Sequence, residues 1–102
     1  MICVLATIEA GEGLRDDLLA LFRDLVPKVR AEKGCIEYTP MIDTPSRLDV
    51  QGALRPNVVV MVEKWESVEA LHAHLATPHM AEFGKQGAKL RLGLTLQVLE
   101  PA

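Results

Sequence analysis

Apolar residues recur along this chain in two rhythms, one that suits strands and one that suits helices. Ile2 to Ile8 is a run of β-branched and apolar residues and predicts a strand. From about Gly11 to Lys33 the rhythm changes: Leu14, Leu18, Leu21, Phe22, Leu25, Val26 and Val29 return at steps of three and four, while Arg15, Asp16, Arg23, Asp24 and Lys28 face away. This is the pattern of an amphipathic helix. Pro27 lacks the N–H that such a helix needs and is expected to kink or shorten it, at a local cost of about 3 kcal/mol if the helix runs through. Gly34 is placed to stop it. Cys35 to Ile42 predicts a second strand, and Asp43 to Asn57, rich in glycine, proline and polar residues, a loop that is long for a hairpin.

Val58 to Trp65 predicts a third strand, and Ser67, with Glu66 and Glu69 beside it, can cap a helix carrying Val68, Leu71 and Leu75. Thr77-Pro78 restarts helical structure, with an N-cap followed by proline at the first helical position. A looser stretch from Gly84 to Leu92 leads to a final strand, Gly93 to Glu100. The order is β-α-β-β-α-β, an α+β, ferredoxin-like arrangement with an antiparallel sheet carrying its helices on one face.

A sheet with one face in water should alternate apolar with polar residues. Here Val58 to Val62 is apolar at every position, and so is Ile2 to Ala6, so both faces are expected to be covered. A chain of 102 residues has room for one domain and no third layer, which makes a second copy, sheet against sheet, the economical cover. A homodimer is therefore expected. On the third strand Val59, Met61, Glu63 and Trp65 share one face and Val58, Val60, Val62 and Lys64 the other. The uniform valine face is expected under the helices, leaving Glu63 and Trp65 toward a partner or ligand.

Composition narrows the partners. An apolar fraction of 49% fills one modest core, and a net charge of −3 with scattered Lys and Arg offers no basic footprint for nucleic acid or an anionic membrane. No run approaches the roughly 18 apolar residues of a spanning helix. The N-terminus lacks the charged start of a signal peptide. Cys3 and Cys35 make no metal spacing and no disulfide framework, so the expected location is cytoplasmic.

The candidate chemistry lies between Glu63 and His79. That interval holds the chain's one Trp and all three of its histidines. His72 and His74 point roughly 200° apart on a helix and cannot clasp one metal together. No metal site is expected. His72 borders the apolar stripe as a packed or surface residue, and His74 lies on the other flank. His79 falls in the first turn after Thr77, where the positive helix end disfavours protonation. Glu63, if buried without a partner, is a candidate acid or base; the alternative is a carboxylate bonded to an Arg or to backbone across the dimer.

The segments Gly34-Cys35-Ile36-Glu37-Tyr38, Val62-Glu63-Lys64-Trp65-Glu66-Ser67, Ala73-His74-Leu75 and Pro78-His79-Met80 together resemble the antibiotic biosynthesis monooxygenase superfamily, in particular its quinol-monooxygenase-like members. The resemblance spans essentially all of residues 1–102. It implies a dimeric α+β barrel with a pocket between sheet and helices, and an enzyme that oxidises a small aromatic substrate, a quinol or polyketide-like phenol, with O2 and without metal or flavin. It also implies roles: His74 or His79 as the base, Tyr38 or Glu63 orienting a hydroxyl, Trp65 against the ring, and Met61 and Thr7 on the substrate wall. Haem-degrading relatives resemble one another in an Asn on the first strand, whereas this chain reads Leu5-Ala6-Thr7-Ile8. The loop Asp43 to Asn57 is longer than the connection typical of the family, and its Arg47, Gln51 and Arg55 can cover the pocket, reach a partner or simply face solvent. A non-catalytic ligand-binding or stress-associated dimer of the same fold is the alternative function.

Overall fold

A computed structural model describes Met1–Ala102 and contains seven elements: β1 (Ile2–Ala10), α1 (Arg15–Arg30), β2 (Cys35–Met41), β3 (Val58–Trp65), α2 (Val68–Leu75), α3 (Pro78–Gly87) and β4 (Arg91–Leu99). The strands form one antiparallel sheet in the order β2-β3-β1-β4, which is the ferredoxin-like order. The expected looser stretch after Gly84 is in fact helical to Gly87, and the last strand begins two residues early, at Arg91. No helix is long and apolar enough to cross a membrane.

The helix α1 buries Leu18, Phe22, Leu25, Val26 and Val29 against the sheet. Each such side chain contributes about 1.5–3 kcal/mol of burial. Pro27 does not end the helix, which continues to Arg30. It sits on the exposed side, as does Arg23 one turn earlier, so the carbonyl that loses its N–H partner can turn to water. Nor is Gly34 the helix stop. The chain leaves α1 at Ala31, and Gly34 lies further on, at φ +87°, in the turn that enters β2. A Cβ on Gly34 would come within 2.7 Å of the Ala70 Cβ, so glycine allows this turn to press against α2.

The register corrects the expected assignment of faces. Val4 pairs with Glu63, Ala6 with Met61, Ile8 with Val59 and Tyr38 with Glu63. Cross-strand partners share a face. All are buried, and the apolar ones share one core cluster with α1 and with Trp65, so this is the face under the helices. The valines Val58, Val60 and Val62 lie half-buried on the opposite face with Leu5 and Thr7. Uniform valine carries no information about which side is covered; the larger Met61 and Trp65 fill the space under the helices.

The helix α2 is rotated from its expected stripe. Leu71 and His74 point inward, while Val68 and Leu75 are about half exposed. His72 is exposed. The Ser67 hydroxyl accepts from the Ala70 N–H at 3.1 Å and caps α2, and Thr77 Oγ1 accepts from Met80 N–H to cap α3. Phe83 closes α3 onto α1 through Phe22, with ring centroids 4.7 Å apart.

Candidate active site

Between the helix-side face of the sheet and the helices α2 and α3 lies a cavity of about 300 Å³. Its wall is mostly apolar, with Met61, Phe83 and Leu96 among its residues, and Tyr38, Glu63, His74 and Arg91 provide polar groups. Its wall includes the edge strand β4, whose Leu94 and Leu96 pair with Ile8 and Ala6 and so face the helix side, yet remain about half exposed. An apolar pocket with a few convergent polar groups is the usual form of a small-molecule site.

His74 is only 2% exposed and is held by contacts on several sides. Its Nδ1 lies 3.0 and 3.2 Å from the two carboxylate oxygens of Glu32. Trp65 lies over the imidazole with centroids 4.6 Å apart, and Tyr38 meets it edge-on at 5.5 Å. A carboxylate only accepts hydrogen bonds, so the Nδ1 facing Glu32 carries a proton, and in the neutral ring Nε2 is then the acceptor nitrogen. Nε2 has no partner within the protein, and the ring lines the cavity.

Glu32 is the residue that sequence reasoning missed. It sits in the turn after α1, where Gly34 lets the backbone approach Ala70, and it also accepts from His79 Nε2 at 2.7 Å. Thr77 Oγ1 donates to the His74 carbonyl at 2.8 Å, which fixes the junction of α2 and α3 and brings His74 and His79 to the same carboxylate. The histidines therefore do meet at one point, through a residue distant in sequence. One signal was available: a Glu just past a helix C-terminus opposes the helix dipole and calls for another reason to be there.

Glu63 is 5% exposed and its carboxyl is pushed above the ordinary 4.5, first by burial and then by the charge of Glu32; the hydrogen bond from Trp65 and the neighbouring His74 oppose this. Its partner is Trp65 Nε1, donating at 3.0 Å, rather than an Arg or backbone. The Tyr38 hydroxyl is held far above its usual range by burial and by Glu63 and Glu32, so it stays a neutral phenol able to donate.

The predicted site residues divide cleanly. His74, Glu63, Tyr38 and Met61 line the cavity. Trp65 does not: it is fully buried behind Glu63 and His74, where it orients both. His79 lies outside the cavity wall and buttresses Glu32. Thr7 is on the other face of the sheet, opposite Val60, because strand parity separates it from Ala6 and Ile8. The loop between β2 and β3 supplies no wall residue; Arg55 instead holds Asp43 through Nε and a second nitrogen at 2.9 Å each.

Comparison with known proteins agrees with this geometry. The family profile described as "Antibiotic biosynthesis monooxygenase" matches residues 1–86. The Escherichia coli K12 protein named "Probable quinol monooxygenase YgiN" is 36% identical over 103 aligned positions, covering 99% of this chain and 98% of its own length. Among solved structures, a Pseudomonas aeruginosa protein superposes with a TM-score of 0.82 at 27% identity, covering 99% of this chain and 93% of that one. A further crystal structure, of an antibiotic biosynthesis monooxygenase, superposes with a TM-score of 0.81 at 27% identity over 100% and 99% of the two chains.

Proposed function

This chain belongs to the antibiotic biosynthesis monooxygenase family, and on that premise we propose that it oxidises a small quinol or polyketide-like phenol with O2. The observation that carries the reading is the His74 ring at the cavity wall, with Glu32 on Nδ1 and Nε2 left free. In this reading the substrate hydroxyl gives its proton to His74 Nε2, and Glu32 stabilises the imidazolium that results. The phenolate is electron-rich enough to reduce O2 directly. One oxygen atom enters the ring and the other leaves as water; conversion of quinol to quinone and of C–H to C–OH supplies the four electrons. The substrate being its own reductant, the chemistry requires no metal or flavin.

The other polar residues suit the same reaction. Glu63, kept toward its protonated form, and the Tyr38 phenol can each hydrogen-bond a substrate oxygen. The apolar wall around them limits water, which protects the reduced-oxygen intermediate. Cytoplasmic placement is supported by the two free cysteines.

The same proposal includes a homodimer formed through the sheet face opposite the helices. Val58, Val60, Val62 and Leu5 form an apolar surface there that no helix of the chain covers, and a second copy would cover it without any further layer.

The test is oxygen uptake by metal-stripped protein with a panel of hydroquinones. Uptake above the non-enzymatic rate, abolished by His74→Ala, supports the reading. No uptake across the panel favours a non-catalytic binder of aromatic ligands, and unchanged uptake in His74→Ala removes His74 as the base.

A further inference from the structure

Glu32, His74 and His79 present one carboxylate and two imidazoles from three separate elements, with ligand atoms all within 4.8 Å of one another. We propose that this cluster is a binding site for a divalent transition metal of the zinc class, lying behind the cavity wall and controlling His74.

The donor set and the distances support it. Two imidazole nitrogens and a carboxylate oxygen suit Zn2+ and its neighbours, not Mg2+ or Ca2+, which take oxygen ligands. A tetrahedral ion with bonds of about 2.0–2.1 Å separates its ligand atoms by about 3.3 Å. Glu32 Oε2 is now 3.0 Å from His74 Nδ1 and 2.7 Å from His79 Nε2. Opening these two contacts by a few tenths of an ångström, and drawing the two imidazole nitrogens, now within 4.8 Å of each other, toward the same separation, exchanges two N–H···O bonds for metal bonds. The three groups are already held: Thr77 fixes the α2–α3 junction, Gly34 the approach of the Glu32 turn, and Trp65 and Tyr38 the His74 ring. His79 is 22% exposed and opens onto a surface depression between α1 and α3, lined also by Asp24, Lys28 and Glu82. That depression gives an ion a route in and leaves the fourth position to water.

The site meets the substrate cavity only at His74, because Glu32 and His79 are absent from its wall. A metal there acts on the reaction through His74. When Nδ1 binds the metal, the ring proton resides on Nε2, which then donates and cannot accept a proton from a phenol. Metal occupancy therefore turns the base off. This consequence rests on the proposed role of His74; the binding site itself does not.

Titration of untagged, metal-stripped protein with Zn2+ and with Co2+ tests the site. One equivalent per chain is expected, with the visible bands of four-coordinate Co2+ and with 15N shifts at His74 Nδ1 and His79 Nε2. Glu32→Gln and His79→Ala should each weaken binding at least tenfold while His72→Ala, an exposed neighbour, leaves it unchanged. Absence of stoichiometric binding, or ring shifts at His72 in place of His74 and His79, overturns the proposal. Because the ring shifts are measured on the wild-type protein, they test the site even where a variant fails to fold. Zn2+ binding with loss of quinol oxidation supports both the site and the base; binding without loss keeps the site and removes the base.

Discussion

At the scale of single residues, the proposed function turns on which atom of an imidazole is occupied. Glu32 holds His74 Nδ1, Nε2 has no partner within the protein, and the ring lines the cavity. His74→Ala should lower kcat/KM by about 10²–10⁴, the usual contribution of general base catalysis, when oxygen uptake is followed with a turned-over hydroquinone. Glu32→Gln keeps an oxygen near Nδ1 but removes the charge that stabilises the imidazolium, and a smaller loss, mainly in kcat, is expected. Glu63 makes a prediction about stability. Its folded carboxyl titrates above the ordinary 4.5, so between the unfolded and folded values the native state binds more protons and stability falls as pH rises. Urea denaturation of Glu63→Gln, which retains an acceptor for Trp65, should show a flatter profile across that interval than wild type; identical profiles would mean that burial does not hold the Glu63 proton. Of these residues, Glu63 and His74 stood out in the sequence because they are rare or unusual where they occur. Glu32 did not, since its one local signal, a carboxylate just past a helix C-terminus, does not say which distant side chain it meets.

At the scale of elements, junctions matter more than the elements they join. Gly34 combines φ +87° with a 2.7 Å approach of its missing Cβ to Ala70. Gly34→Ala should therefore cost about 1–3 kcal/mol and shift the Glu32 turn away from α2, read as a lowered Tm together with reduced oxygen uptake. In the long loop, Asp43 is held down to about 2 by its hydrogen bonds from Arg55. Its carboxyl being depressed in the folded state, the tie is complete above about 3.8, the ordinary carboxylate value, and is lost as pH falls toward 2. Amide exchange in the loop should rise over that interval in wild type and be already raised at neutral pH in Asp43→Asn. The strands, the caps at Ser67 and Thr77 and the restart at Pro78 were legible because each follows from a few adjacent residues. The rotation of α2 was not. An eight-residue helix with apolar residues at Val68, Leu71 and Leu75 fits two inward faces nearly equally, and the contacts of His74 with Glu32, Trp65 and Tyr38 decide between them.

At the scale of the whole molecule, the open sheet face and the half-exposed β4 edge leave the fold with apolar surface still to cover. A Val60→Lys substitution places a charge at the middle of that face and should convert the proposed dimer to monomer by sedimentation velocity; wild-type protein that is already monomeric would end the dimer proposal. By itself the sequence determined the strand and helix order, the ferredoxin-like topology and the family, because periodicity, capping residues and contiguous motifs are local properties that survive without coordinates. It also indicated that both sheet faces are apolar. Only the tertiary structure decided which face the helices cover, that Trp65 supports the cavity wall without forming it, that Thr7 faces away, and that Glu32 joins His74 to His79. Those outcomes depend on register and on contacts between residues more than forty positions apart, and no local pattern in a chain encodes which distant carboxylate will satisfy a buried imidazole.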